Sequence, residues 1–414
     1  MTPMRIVYIY QYYCNPQMAG GIRAYEHARR LVANGHTVHV ITTDITPGKR
    51  ALGWRHTNDD GVDVHWFSVP YSNNMSYARR IRAFAEFMVL AAAKATRLKA
   101  DLVFATSTPL TVAVPGVLAA RLRRVPFVFE VRDLWPEVPI DMGALRHPAA
   151  RRLAGALATF AYRNAEEVIA LSPGMAAGVE ARRPGTRTTV VPNAADLALF
   201  AVEPDAVRRF RAEHRWLGDR PLIVYTGALG AVNGVDYLVR AARRMRDLDP
   251  EVRFLIVGHG KEWDDTARLA AGYGLLDDTV QMWEKVPKAQ LPVILGAATM
   301  STSLVRPIRA LWDNSANKFF DALAAGRPIA INYGGWQADV LRESGAGLLL
   351  DPDDADAAAA TLAQHVRDEL WLKEARDAAY RVAVEQFSRD LLFERFEAVL
   401  NRSAARRAAL SEPS

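Results

Sequence analysis

Along the first half of the chain, short runs of β-branched and aromatic residues alternate with longer alanine-rich stretches whose apolar residues recur at helical spacing. The runs are RIVYIY from Arg5, TVHVIT from Thr37, VDVHWF from Val62, LVFAT from Leu102, PFVFEV from Pro126 and EVIAL from Glu167. Such alternation predicts βαβ units and a parallel sheet. After TTVVPN at Thr188 the pattern lapses through a charged helical stretch. It restarts with LIVYTG from Leu222, RFLIVG from Arg253, TVQMW from Thr279, ATMST from Ala298, PIAIN from Pro328 and GLLL from Gly347. A second doubly wound sheet is therefore predicted, with the boundary between Pro192 and Pro204. Ligands of open parallel sheets sit beyond the carboxyl ends of the strands, so the loops after these runs are where chemistry is expected.

The first strand leaves through QYYCNPQMAGG into a helix with Ala24, Ala28, Leu31 and Val32 on one face. Gly20 and Gly21 then lie at a helix N-terminus, where unpaired amides attract phosphate or a sugar hydroxyl and a ligand can approach the backbone closely. A bare turn joining strand to helix is the alternative. The spacing is not GxGxxG, and neither GALGAVNG at Gly227 nor GHG at Gly258 supplies that fingerprint, which disfavours a dinucleotide dehydrogenase.

The segment Leu311 to Pro328, LWDNSANKFFDALAAGRP, reads as a delimited helix. Asp313, Asn314 and Ser315 are good N-caps, Phe320, Leu323 and Ala324 form an apolar face, and Gly326 is a C-terminal stop. As one continuous helix it would set Asp313 and Asp321 about 12 Å apart along the axis, with Lys318 one turn before Asp321. One carboxylate could hold a sugar's hydroxyls, the helix start at Ser315 and Asn317 together with Lys318 a diphosphate, and the second carboxylate a ribose diol. A capping acid and a Lys318–Asp321 surface pair would need no ligand.

With 414 residues, half of them hydrophobic, the chain exceeds what one core usually supports, so two domains are expected. The formal net charge of +6 suits anionic substrates, nucleic acid or an acidic membrane, and the basic residues are scattered along helices as on an ordinary solvated surface. No nucleic-acid partner is expected, because aromatics interleaved with clustered basics on a sheet do not occur. The single cysteine, Cys14, excludes an intrachain disulfide and a cysteine-built metal site. No clustered metal-ligand motif appears, so no metal is expected. No stretch reaches the roughly 18 apolar residues of a spanning helix, and Ile6 to Tyr10 has no signal core behind it, so a cytoplasmic location is expected. Asn74 to Ala100 combines Arg79, Arg80 and Arg82 with Ile81, Phe84, Phe87, Met88 and Leu90, as a peripheral helix at the inner membrane face would, or equally an amphipathic helix of the first domain.

The tandem α/β halves, the Gly-Gly turn, VVPNAAD from Val190, VGHG from Val257 and the acid, seven residues, acid segment before LAAGRP together resemble glycosyltransferase family 4, from Met4 to about Phe396. QMAGGIRAYEHARRL, FEVRDLWPE and ANKFFDALAAG are similar to the bacterial branch that makes surface polysaccharides, with its fucosaminyl and colanic-acid transferases. The resemblance implies the GT-B architecture, two doubly wound Rossmann-like α/β domains facing across a cleft. Residues 1–197 would form the acceptor-side domain, completed by the last helix within 391–414, and 198–390 the nucleotide-sugar domain. It also implies metal-independent transfer with retention of the donor's anomeric configuration. The nucleotide sugar is then a substrate, no cofactor is needed, and UDP is favoured, with a hexosamine as a weaker expectation. The acceptor would be a lipid-linked saccharide or a small-molecule natural product. Asp321 matches the acid that holds the ribose, Asp313 the acid that faces the donor sugar, and Gly20 and Gly21 the glycine turn near diphosphate and acceptor.

Three departures shift the assignments. Both acids are Asp where the family usually has Glu. Ala228 and Asn233 replace the usual Arg and Lys after the first strand of the second domain, which makes Lys318 the first candidate cation for the diphosphate, and Arg306 and Arg309 the second. Arg132 stands where many members have a histidine before Asp, so Arg132 and Asp133 are carried as acceptor-side candidates. Gly227 and His259 lie where they could touch the nucleotide, Glu284 could abut the base, and Trp135 and Trp336 could stack on rings. The same fold serves sugar epimerases and phosphorylases, and a non-catalytic sugar- or nucleic-acid-binding protein is a further reading, so fold alone does not choose.

Overall fold

The computed structural model describes residues 2–18, 20–44, 53–71 and 75–409, so Asn74 of the basic and apolar segment and the last five residues lie outside the described residues. The chain divides into two compact units, Met1–Pro192 with Leu392–Ser414, and Asn193–Leu391.

The first unit holds eight strands: β1 (Arg5–Ile9), β2 (Thr37–Asp44), β3 (Trp54–Asp59), β4 (Val62–Ser68), β5 (Leu102–Thr106), β6 (Phe127–Val131), β7 (Glu167–Ala170) and β8 (Thr188–Val190). Their order is β3-β4-β2-β1-β5-β6-β7-β8, parallel except for β3, which pairs antiparallel with β4. Every residue of β5, β6 and β7 is buried, which is why these strands read as mainly apolar runs, interrupted by Thr106, Glu130 and Glu167. β3 has no such run. Its side chains are mostly exposed, and the two-residue Asp60-Gly61 turn, with φ of 51° and 86°, folds it back on β4.

Helices cover both faces. On one, Val7, Ile9, Val103 and Phe129 pack with Phe87, Ala91, Ala95 and Val117. The helix Tyr77–Ala95 therefore turns Ala83, Phe87, Ala91 and Ala95 inward and leaves Ile81 and Val89 exposed. This corrects the interfacial reading at Phe87, which is a core residue with no freedom to meet a membrane. On the other face Tyr8 meets Phe104 at 4.6 Å, Phe104 meets Phe396 at 5.1 Å and His27 stacks on Phe396 at 4.0 Å. Phe396 belongs to the last helix, Arg389–Ala409, whose buried Glu397 accepts from Asn34 Nδ2 at 2.8 Å and lies 3.3 Å from His36. Among the described residues no helix is long and apolar enough to cross a membrane.

The second unit holds β9 (Leu222–Thr226), β10 (Arg253–Val257), β11 (Val280–Trp283), β12 (Met300–Ser303), β13 (Ile329–Ile331) and β14 (Gly347–Leu349), ordered β11-β10-β9-β12-β13-β14 and parallel throughout. Ile223, Tyr225, Phe254, Ile256 and Met300 centre its core. Strand order reverses between β1 and β5 in the first unit and between β9 and β12 in the second. Crevices at such reversals are where doubly wound sheets take ligands.

Candidate functional site

At the reversal in the second unit, β9 ends at Thr226 and the chain turns through Gly227, whose φ of 145° excludes a side chain. This turn interlocks with the one after β10. Gly227 N–H donates to Val257 O at 2.9 Å and Leu229 N–H to His259 O at 3.1 Å. A β-carbon on Gly258 would fall 1.8 Å from Gly227 O, and one on Gly260 would fall 2.3 Å from Leu229 O. The GHG sequence is thus dictated by two backbones in contact.

Under this turn lies Lys318. It comes from the helix Asn317–Ala324, on the other side of the reversal. Its ammonium nitrogen is 4.5 Å from the centroid of the Tyr225 ring, donates to Tyr225 Oη at 3.1 Å and Asn233 Oδ1 at 3.0 Å, and would lie 3.5 Å from a β-carbon at Gly227. Tyr225 Oη in turn donates to Ala228 O at 2.8 Å. No carboxylate among the described residues lies within ion-pair distance of Lys318, and desolvation lowers its pKa to about 7. An uncompensated amine beneath a glycine turn suits a phosphate oxygen. Asn233, which stands where the resemblance expects a cation, is the residue that holds this one.

The helix carrying Lys318 is shorter than its sequence suggested, which corrects the reading of Asp313, Asn314 and Ser315 as its caps. Ala316 precedes its first turn and offers no side-chain cap. The polar side chains before it compete for backbone groups instead. Asn314 Oδ1 accepts from Ala316 N–H at 3.0 Å while its Nδ2 donates to Leu311 O at 2.6 Å. Ser315 Oγ accepts from Asn193 N–H at 3.0 Å, and Asn193 Nδ2 donates to Ser315 O at 2.6 Å, so Ser315 ties down the segment after β8 rather than facing a helix-bound ligand. Asn317 opens the helix and is exposed. Asp313 lies ahead of it, after the short turn Arg309–Leu311, so no single helix axis aligns the two acids. Burial raises the Asp313 carboxyl above its ordinary pKa, against the pull of Arg309, 3.9 Å away.

Asp321 is buried and bound by Lys288 Nζ at 2.5 Å, so the Lys318–Asp321 surface pair does not form. Lys288, whose amine also lies 5.2 Å from the Phe200 ring centroid, was missed, since the two lysines of KVPKAQLP carry no pattern. The second-choice cations are differently placed. Arg306 is committed to Glu262 at 3.1 Å, Asp236 at 3.5 Å and Ala231 O at 3.0 Å, so little of its charge is left for a phosphate. Arg309 is largely exposed, with its guanidinium 4.8 Å from the Trp312 ring centroid. His259 Nδ1 lies 3.0 Å from Glu284 Oε2, and its ring stacks on Trp263. Trp336 donates through Nε1 to Asn314 O at 2.9 Å and packs on Phe320 and Phe387, a structural position. Among the described residues no three His, Cys, Asp or Glu side chains are placed to hold a metal ion.

In the first unit, Gly20 and Gly21 are exposed and are separated only by Ile22 from the helix Arg23–Ala33. A β-carbon on Gly20 would strike Cys14 Sγ at 2.6 Å, so packing as well as ligand access explains this glycine. Arg23, the first helical residue, is buried against Glu130 at 2.8 Å and donates to Val191 O at 2.9 Å and to Pro192 O at 2.5 Å. Arg132 donates to Tyr10 Oη at 2.6 Å with its guanidinium 5.2 Å from that ring's centroid, and Asp133 accepts from Thr108 Oγ1 at 3.3 Å. Both follow β6, and Trp135 packs against the core beside them.

Two family descriptions match the chain in tandem: Glycosyl transferase 4-like domain over residues 20–194 and Glycosyl transferases group 1 over residues 220–368. Among curated relatives, a GDP-mannose-dependent alpha-(1-6)-phosphatidylinositol monomannoside mannosyltransferase of Mycolicibacterium smegmatis is 27% identical over 257 residues, 61% of this chain and 64% of that protein. An Escherichia coli K12 protein described as a colanic acid biosynthesis glycosyl transferase is 25% identical over 272 residues, 61% of this chain and 66% of that protein. The chain thus spans just under two thirds of these relatives' lengths. Among solved structures, a sucrose-phosphate synthase from Thermosynechococcus elongatus superposes with a TM-score of 0.77 at 18% identity, covering 97% of this chain and 99% of that one. HepE of Anabaena, solved with UDP and glucose, superposes with a TM-score of 0.72 at 18% identity, covering 96% and 100%. The chain belongs to glycosyltransferase family 4 and has the GT-B fold.

Proposed function

We propose that the protein is a glycosyltransferase that takes a sugar from a nucleotide donor with retention of configuration and without a metal, and passes it to a lipid-linked saccharide or a small-molecule acceptor. The observation that carries this reading is Lys318, an amine beneath the Gly227 turn with no counter-ion among the described residues, in a chain of this family. The diphosphate is bound by Lys318 and the turn, the ribose by Asp321 beside Lys288, and the sugar is met by Asp313. Arg132 and Asp133 serve the acceptor side, and the Gly20-Gly21 turn lies near the diphosphate and the acceptor. UDP is favoured by the sequence resemblance and by the UDP that HepE binds, while GDP-mannose is favoured by the named activity of the mycobacterial relatives. Exposed Ile81 and Val89, with Leu118 and Leu122 on the adjoining helix Ala113–Arg123, make a peripheral membrane contact for a lipid-linked acceptor.

Thermal melting against UDP-glucose, a UDP-hexosamine and GDP-mannose tests the donor, because a bound ligand raises stability by mass action. A rise with one of these, and none with AMP, is expected. Turnover of a nucleotide sugar with no acceptor present would instead indicate an epimerase. EDTA is expected to leave transfer unchanged, since the amine and the backbone amides supply the positive charge. Loss of activity restored by a divalent cation would overturn metal independence.

A further inference from the structure

Among the described residues, Lys318 is held entirely by neutral groups. Its two recorded acceptors are the Tyr225 hydroxyl and the Asn233 amide oxygen. The acids nearby face other cations: Asp321, one turn further along the same helix, binds Lys288, and Glu262 and Asp236 bind Arg306 from the loop after β12. Asp313, ahead of the helix, faces Arg309. The phenols of Tyr225 and Tyr333 both stay protonated, since burial raises each well above the ordinary range. Tyr225 Oη already donates to Ala228 O, so only its lone pair is presented to Lys318.

A neutral amine has two N–H donors and one lone pair. Tyr225 and Asn233 satisfy two donors, and the third exists only when a proton is added. Charging the amine in this partly buried site is opposed by desolvation until an anion arrives to compensate it. A nucleotide sugar brings that anion. We infer that donor binding is coupled to uptake of one proton from solvent at Lys318, with Tyr225 and Asn233 as the positioning residues that hold the amine where no carboxylate of the described residues reaches it. The inference rests on the proposed donor reading and deepens it. The added proton supplies the third N–H donor, which bonds a phosphate oxygen. Thermodynamic linkage then makes donor affinity fall as the pH rises above neutrality.

Isothermal titration calorimetry of the full chain with UDP-glucose and with GDP-mannose, in buffers of low and high ionisation enthalpy from pH 6 to 8.5, measures this directly. Both diphosphates are esterified at each end, so neither ligand titrates in the range. For an amine starting at a pKa of about 7, uptake of close to one proton is expected at pH 8.5, falling to about a tenth at pH 6. Affinity should weaken about tenfold per pH unit above 7.5. Lys318→Arg is charged at every pH used and should bind with no proton uptake. Asn233→Asp, nearly isosteric, supplies the missing counter-ion, so it should bind the donor more weakly and also without uptake. Donor binding with no dependence on buffer from pH 6 to 8.5 would overturn the inference and leave the donor site standing. So would uptake that persists in both variants, each confirmed as folded by circular dichroism. Failure of either sugar nucleotide to bind at millimolar concentration would instead overturn the donor reading and the inference with it.

Discussion

Lys318 and Asp321 are three residues apart on one helix, yet the fold treats their charges in opposite ways: the acid receives a cation from Lys288, and the amine receives no anion among the described residues. Their substitutions should therefore separate in kinetics. The charge on a departing diphosphate grows as the glycosidic bond breaks, so Lys318→Ala should lower kcat by about 10² or more. On the proposed reading Asp321→Ala would remove a ribose partner present before and during reaction, and should raise KM and abolish the nucleotide thermal shift. Asp313→Ala should impair transfer while leaving binding of the bare nucleoside diphosphate nearly intact. Full activity in Lys318→Ala beside a dead Arg309→Ala would move the clamp to the preceding loop. Sequence singles out Lys318 and both acids as candidates through the resemblance and a helix spacing that holds only from Asn317 onward, so it reaches Asp321 but not Asp313. It does not show that Arg306 is spent on Glu262 and Asp236, or that Lys288 reaches Asp321, since those partners lie 44, 70 and 33 residues away and only the parallel sheet brings them together.

At the scale of elements, the strands most legible in the sequence are those buried along their whole length, such as β5, β9 and β10, while β8, β11 and β14 were legible from short β-branched or apolar runs although only partly buried. β3 escaped because an exposed edge strand needs no apolar run; its one signal was the Asp60-Gly61 turn. The helix start at Asn317 was misplaced because Asn314 and Ser315 spend their capping groups on the turn before it and on Asn193. The edge formed by β2, β3 and β4 also has a pH response. His39, His56 and His65 gather beside Asp63, with His65 Nε2 3.4 Å from His39 Nδ1. Burial, then the positive charge of Lys94, lowers the pKa of His65 to about 4, and burial also lowers that of His39. Unfolding frees both to take protons at about 6.5, so this edge contributes its full stability above pH 6.5 and loses it as the pH falls towards 4. Denaturant melts should show up to about 3 kcal/mol of loss from His65 over that window, and His65→Phe should flatten the profile. The helix Tyr77–Ala95 carries a second expectation. The protein should float with anionic liposomes at low salt and cease to do so when Ile81 and Val89 are both changed to Ser; a wild-type protein wholly in the soluble fraction would remove the membrane contact.

At the scale of the whole molecule, the division of the chain is not its division in sequence, because the last 23 residues belong with the first 192. The last helix is an integral part of the first unit's core. Leu392, Phe393, Phe396, Val399 and Leu400 are all buried, and Phe396 lies between His27 and Phe104. Fully burying five such side chains contributes on the order of 10 kcal/mol, as much as the entire net stability of a typical domain. Polar contacts add to this: removing the helix would strip Asn34 and His36 of Glu397, and would leave the buried Glu167 without Arg402 at 2.7 Å and Arg406 at 3.3 Å. Ending the chain after Leu391 should therefore unfold the first unit selectively. The second unit keeps its six strands, Lys318, Tyr225 and Asn233, and none of its core residues is lost. Calorimetry of the truncated chain should show one transition, retained by the second unit and still raised by a sugar nucleotide, together with exchange of backbone amides throughout residues 5–190 at near-unfolded rates. Slow exchange in β1 and β5 of the truncated chain would show that the first unit holds itself together without its last helix.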